Sequence, residues 1–233
     1  MKSIAVIGLG QFGYQVAISL SQKGYEVVAL DSTAELVDEI KDLVAQAVCL
    51  DTTDEKAMRS INIDNVDIAI VAIGANIQSS LMSTALLQRL GVQEVHVRYI
   101  NSLQESILKS MAIKNIISIE KEMGQQVANI FASEGIGRYI TISDRHALLE
   151  LRVPKPLVNK TLKDLNIRAQ YGVNIVGIKV SEPEVNDDGD VVYVHNMTDV
   201  PDPAYPLGVD DALIVSGTDD NLNRFIQLGR DHD

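Results

Sequence analysis

The tightest constraint on this chain lies at its start, where Ile4-Ala5-Val6-Ile7 runs straight into Gly8-Leu9-Gly10-Gln11-Phe12-Gly13 and then into a helical pattern. A strand-length apolar run followed by GxGxxG fixes three backbone demands: a tight turn at Gly8, close approach of a diphosphate at Gly10, and close helix–strand packing at Gly13. A loop of this kind aims free N–H groups at the positive end of a helix towards an anion, with Gln11 in the loop and Phe12 opening that helix. The next apolar run, Glu26–Leu30, ends at Asp31, 18 residues beyond Gly13. An acid there accepts hydrogen bonds from a ribose hydroxyl pair and disfavours a 2′-phosphate, which keeps NAD, ATP, ADP and AMP as ligands and sets NADP behind them.

The rhythm continues through the first half. Apolar runs at Ala47–Leu50, Ile68–Ala72, Glu94–Val97 and Ile116–Ser118 alternate with helical patterns at Phe12–Ser21, Ala34–Leu43, Ile77–Leu90 and Leu103–Met111. This predicts an α/β domain with a doubly wound parallel sheet. A further helix over Lys121–Ser133 follows, with Met123, Val127, Ile130 and Phe131 at helical spacing. Ligands bind at the carboxyl edge of such a sheet. Small residues at Ala72-Ile73-Gly74 and the pair Asp51-Thr52 both fall there, although Asp51 reads equally as a helix-capping acid within Asp51-Thr52-Thr53-Asp54.

The turn-prone stretch Glu134-Gly135-Ile136-Gly137-Arg138 reads as a hinge, so that 1–133 forms one domain and 134–233 a smaller α+β one. Strands are expected at Tyr139–Ser143, Ala147–Val153, Asn174–Val180, Val191–His195 and Ala212–Ser216, with a closing helix near Asn221–Leu228. Ser181–Gly189, with Glu182, Glu184, Asp187 and Asp188, reads as an exposed acidic hairpin, a solvated loop ahead of a divalent-ion site.

The exclusions are as informative. A net charge of −12 opposes nucleic acid and anionic membrane surfaces. One cysteine, Cys49, allows no internal disulfide and fits a reducing cytoplasm, and neither a leader nor a membrane-length apolar run is evident. His96, His146, His195 and His232 show no ligand spacing, and no Walker lysine or GxSxG elbow occurs. The acid/base group that a dehydrogenase holds near its nicotinamide is not recognisable, which favours a sensor over a catalyst; an NAD-dependent oxidoreductase is the rival reading.

Ile4–Gly13, Asp31, Val71-Ala72-Ile73-Gly74-Ala75-Asn76-Ile77-Gln78-Ser79-Ser80 and Ile119-Glu120-Lys121-Glu122-Met123-Gly124 together resemble the RCK (regulator of potassium conductance) family, the cytosolic gating subunits of bacterial Ktr and Trk potassium transporters. Leu165-Asn166-Ile167-Arg168-Ala169-Gln170-Tyr171-Gly172 is similar to their carboxyl-terminal regulatory domain. The resemblance covers nearly the whole chain and is nearer to the KtrA branch, which has one copy of each domain, than to the duplicated TrkA. It implies a Rossmann-like domain that binds ATP, ADP or NAD(H), homodimers assembled into a homo-octameric ring, and an integral-membrane potassium-translocating partner. By the same resemblance Arg98 lies near the nucleotide and Glu120 near a bound cation; an ordinary surface arginine and a helix-start acid are the plain alternatives. The family's usual GxGRFG carries an arginine that reads terminal phosphates, and Gln11 stands in its place here, which leaves ATP, ADP and NAD all open. Arg168, Ala169 and Asn174 match positions that bind cyclic di-AMP in several relatives, Pro201-Asp202-Pro203 resembles the loop opposite them, and Leu162 and Ile175 are the apolar neighbours for adenine; the same residues serve equally as a protein dimer seam. The rest of the expectation is a cytosolic antiporter regulator as a further alternative.

Overall fold

The computed structural model describes residues 2–132, 136–185 and 190–229, and the chain divides into two compact units between Glu122 and Met123. Of the sequence expectations, Ser133, Glu134 and Gly135 of the hinge, Asp187 and Asp188 of the hairpin, and His232 lie outside the described residues.

The first unit runs β1 (Ser3–Ile7), α1 (Gln11–Gln22), β2 (Glu26–Asp31), α2 (Ala34–Ile40), β3 (Gln46–Cys49), α3 (Glu55–Ser60), β4 (Ile68–Val71), α4 (Ile77–Leu90), β5 (Glu94–Arg98), α5 (Ser102–Ser110) and β6 (Asn115–Ile117), and ends in the first turn of α6 (Ile119–Ala132). All six strands pair in parallel in the order β3-β2-β1-β4-β5-β6. Both sheet faces are buried: Ala5 and Ile7 pack with Val71, Val97 and Leu87 on one side, Ile4 and Val6 with Val27, Ala29 and Ile40 on the other. Each such side chain contributes ~1.5–3 kcal/mol on full burial, which is why these strands read as unbroken apolar runs. The order reverses between β1 and β4, the switch point outside whose carboxyl ends such sheets bind ligands.

The second unit contains β7 (Ile136–Ser143), β8 (His146–Arg152), α7 (Leu162–Leu165), α8 (Ile167–Tyr171), β9 (Asn174–Val185), β10 (Val191–Thr198), β11 (Ala212–Thr218) and α9 (Asp219–Gln227). Its sheet is antiparallel, in the order β10-β9-β11-β8-β7. One face builds the core: Ala147, Leu149, Leu151, Leu213 and Val215 pack against Leu222, Phe225 and Ile226 of α9, with Ile167 of α8 among them. Phe225 is fully buried and meets Tyr171 edge-to-face, with ring centroids 5.4 Å apart.

Several boundaries differ from expectation. Ser181–Val185 forms one limb of the expected exposed hairpin, but as a longer β9 than the sequence suggested, paired with Val191–His195, because the strand has a solvated side and its acids alternate with other residues. Ile136–Arg138 belongs to β7 rather than to a hinge, and α6 begins at Ile119. The short α3, α7 and α8 were not expected. Asn166 takes a left-handed conformation (φ 41°) that breaks α7 from α8.

Candidate functional site

At the carboxyl ends of β1 and β4 a cleft of about 450 Å³ opens, and its walls include Gly8, Gly10, Asp31, Asp51, Thr52, Ala72, Ile73, Gly74 and Arg98, together with Ser32, Thr33, Leu36, Ala75, Asn76 and Ser79. The three loop glycines serve different ends. Gly8 has φ 91°, and a Cβ there would meet Ile73 at 2.9 Å. A Cβ on Gly13 would overlap the Gly8 carbonyl oxygen. Gly10 has neither reason: its φ is −60°, open to any residue, and a Cβ would find nothing within 4 Å. What the missing side chain leaves at Gly10 is free space over the start of α1.

That helix start is also electrostatically open. Asp54, Asn76 and Asn101 cap α3, α4 and α5 through their side chains, whereas at α1 the N-cap is Gly10 and no side chain caps it. Its leading N–H groups and the helix dipole are left for an anion. Asp31 crosses to the loop from β2: Oδ2 accepts the Leu9 N–H at 2.7 Å and Oδ1 the Thr33 N–H at 2.9 Å. It therefore pins the glycine loop as well as facing the cleft, a role the spacing did not reveal. Asp51 accepts both the N–H (2.9 Å) and the hydroxyl (2.7 Å) of Thr53, and these bonds, the hydroxyl first, hold its carboxyl below the usual range. The capping acid of this stretch is Asp54, whose Oδ1 accepts the Lys56 N–H at 2.8 Å.

Arg98 forms the cationic wall. Its guanidinium lies 5.7 Å from the Phe12 ring centroid and forms an ion pair with Glu120, and Nε is buried without a partner. Gly74 gives it room, since a Cβ there would come 2.8 Å from Nη1. The hydrogen bond from Arg98 draws the Glu120 carboxyl below the ordinary range. Phe12, Gly13 and Glu120 thus stand behind the cleft wall, and Gln11 opens instead onto a neighbouring hollow with Leu9, Tyr14, Gln15, Leu36 and Glu39. A cation at Glu120 does not fit the residues of one chain: the carboxylate is already engaged by Arg98, and no cluster of three His, Cys, Asp or Glu that could hold a metal occurs among the described residues.

Beneath the cleft lies a buried polar seam. Thr52 and Ser83 share a hydroxyl hydrogen bond of 2.7 Å, Thr84 donates to the Ser80 carbonyl at 2.7 Å, and Gln104 donates to Ser80 Oγ at 3.2 Å while accepting the Ile100 N–H at 3.0 Å. Ser80, Ser83, Thr84 and Gln104 are almost wholly buried, yet each is satisfied. No signal in the sequence pairs helix α4 with Gln104.

Comparison with known proteins decides the family. Residues 4–119 match the TrkA-N domain model and 148–228 the TrkA-C domain model. The chain is 35% identical over 224 residues to Ktr system potassium uptake protein C of Bacillus subtilis (strain 168), covering 96% of each chain. The chain belongs to the RCK family. The RCK chain is also 34% identical to Ktr system potassium uptake protein A of the same organism, covering 98% of itself and 97% of that protein. Among solved structures, the GsuK channel bound to NAD shares the fold over 97% of this RCK chain and 39% of its own, with a TM-score of 0.64 at 15% identity.

In the RCK carboxyl-terminal unit, Arg168 and Ala169 are exposed on α8, Asn174 begins β9, and Ile175 packs at the core edge. Pro203 is exposed, and its carbonyl accepts the Lys163 N–H at 3.0 Å, which draws its loop to α7 beside Leu162. Among the described residues, no helix of this RCK chain is long and apolar enough to cross a membrane.

Proposed function

We propose that this chain is the nucleotide-reading regulatory subunit of a Ktr-type potassium uptake system. The observation that carries the reading is Gly10, a glycine with no conformational or packing need, beside an uncapped helix start and Asp31. Near-full-length similarity to two Ktr system potassium uptake proteins supports the physiological assignment.

On this reading the N–H groups of α1 hold the diphosphate of ATP, ADP or NAD, Asp31 accepts from the ribose, and Arg98 supplies the positive charge that Gln11 does not. The chain works by binding rather than by catalysis. Homodimers in a homo-octameric ring shift between shapes, and a nucleotide biases the membrane potassium-translocating subunit only by its difference in affinity for those shapes. The protein then works at the cytoplasmic side of the membrane. The second unit takes cyclic di-AMP at Arg168, Ala169, Asn174, Ile175 and Pro203, with Arg168 on a phosphate.

The test is calorimetry of the full chain with ATP, ADP and NAD, paired with small-angle scattering and an assay for nicotinamide turnover. Binding with a change of shape and no turnover is expected. Affinity no better than millimolar for every adenine nucleotide sinks the reading, and turnover of NAD returns the oxidoreductase.

A further inference from the structure

In the first turn of α5, Gln104 occupies a position where packing alone would favour a hydrocarbon, for it is only 1% exposed. Glutamine is mostly a surface residue, and burying its amide costs free energy unless the bonds it gives up to water are replaced. Here they are replaced, and by particular partners. Oε1 accepts the Ile100 N–H at 3.0 Å, while Nε2 donates to Ser80 Oγ at 3.2 Å and to the Arg98 carbonyl at 3.4 Å. Asn101, the N-cap of α5, accepts the Gln104 backbone N–H at 2.9 Å and so fixes where that side chain starts.

This one amide closes the turn that joins β5 to α5. Arg98 ends the strand, the Tyr99 N–H is held by the Ile117 carbonyl at 3.0 Å, and the groups on either side of Tyr99 are held by Gln104. The amide also spans two walls of the nucleotide cleft. Ser80 lies in the first turn of α4, directly after Ser79, and Asn76 caps that helix; Asn76 and Ser79 line the cleft on that side, as Arg98 does from β5. Gln104 itself lines none of it.

Arg98 depends on such a brace. Its side chain is held at the tip, by Glu120 and the Phe12 ring, while Nε is buried without a partner. A guanidinium that leaves Glu120 for a phosphate gives up that tip contact, and a long stem with free rotamers then aims only as well as its backbone is held.

We propose that Gln104 is a positioning residue: by tying the Arg98 carbonyl and the Ile100 N–H to Ser80 on α4, it sets where the Arg98 guanidinium meets a diphosphate in the cleft. It touches no ligand. The role rests on the nucleotide reading, and calorimetry of the full chain keeps the two apart.

Gln104→Met preserves length and volume and removes all three amide bonds. ADP affinity should fall roughly tenfold, the worth of one charge-assisted bond to a phosphate, while adenosine, measured by displacement of ADP, should bind as before. The same change in an Arg98→Gln chain should have no further effect on ADP, a non-additivity that a residue supporting the fold in general would not produce. Ser80→Ala removes one anchor of the brace and leaves Gln104 in place; it should weaken ADP by less, again only where Arg98 is present, and it decides the matter if Gln104→Met fails to fold. Undiminished ADP binding, equal losses for ADP and adenosine, or a loss that persists in the Arg98→Gln chain overturns the positioning role and leaves the nucleotide reading standing. A parent chain that binds no ADP overturns both.

Discussion

Gly10 and Gly13 stand three residues apart in one motif, yet substitution should separate ligand from fold. Gly13→Ala sets a methyl on the Gly8 carbonyl oxygen and 3.1 Å from Ala72 Cβ, both on tightly packed elements. Overpacking of this kind costs ~1–3 kcal/mol and more where backbone must shift; with backbone as the obstacle, ~3 kcal/mol is expected, roughly a hundredfold in the unfolding equilibrium. Gly10→Ala meets no atom within 4 Å and keeps an allowed φ of −60°. Its weaker N-cap propensity, ~0.5–1 kcal/mol, is offset by a stiffer unfolded chain, ~0.4–1 kcal/mol. The methyl does occupy the space over the helix start, and loss of one charge-assisted hydrogen bond to a diphosphate, ~1.5–3 kcal/mol, predicts roughly ten- to hundredfold weaker binding. Denaturation monitored by circular dichroism gives the first pair of numbers and calorimetry with ADP the third. A Gly10→Ala chain that binds as well as the parent, or one destabilised as much as Gly13→Ala, refutes the assignment of Gly10 to a ligand.

Asp31→Ala should weaken nucleotide binding and also loosen the loop at Leu9, so the ribose contact is read more cleanly by comparing ADP with 2′-deoxy-ADP on the unaltered chain; equal affinities would remove Asp31 from the ribose. Arg98→Gln should weaken diphosphate ligands more than adenosine, and Glu120→Gln, by releasing the guanidinium, should strengthen them, both measured by calorimetry. Because the Glu120 carboxyl is lowered in the fold, the stabilisation from its pair with Arg98 is complete above the ordinary glutamate range and fades as acidification passes through the lowered value; an acid titration of Glu120→Gln should lack that component. Burial, with the bond to Asp211, pushes the Tyr205 hydroxyl up to about 12. That contribution is present below the ordinary tyrosine value near ~10 and is lost as pH rises from there through about 12, so Tyr205→Phe should flatten the alkaline melting profile and cost ~1 kcal/mol at neutral pH.

The parallel sheet was legible because the central strands β1, β2 and β4 write apolar runs into the chain, whereas β5 alternates Val95 and Val97 with Glu94, His96 and Arg98. The glycine loop and Asp31 were legible because their roles are local. The lining contributed by Ser32, Thr33, Asn76 and Ser79 was not, since short polar residues at a sheet edge read as ordinary caps and turns. The packing of Arg98 on Phe12 joins residues from opposite ends of the first unit, and only the strand order brings β5 near α1. In the second unit β9 was cut short because Pro183 and two glutamates imitate a loop, and α7 and α8 escaped notice because neither is long enough to show a helical period.

The hydroxyl seam under the cleft gives that site a mechanical grain. Apolar contacts tolerate sliding, whereas Thr52, Ser80, Ser83 and Gln104 fit only at hydrogen-bonding geometry, and Gln104 also reaches the Arg98 carbonyl at 3.4 Å. The Arg98 backbone is thus anchored to a stiff floor, and the compliant direction for its guanidinium is towards half-exposed Glu120 on the first turn of α6.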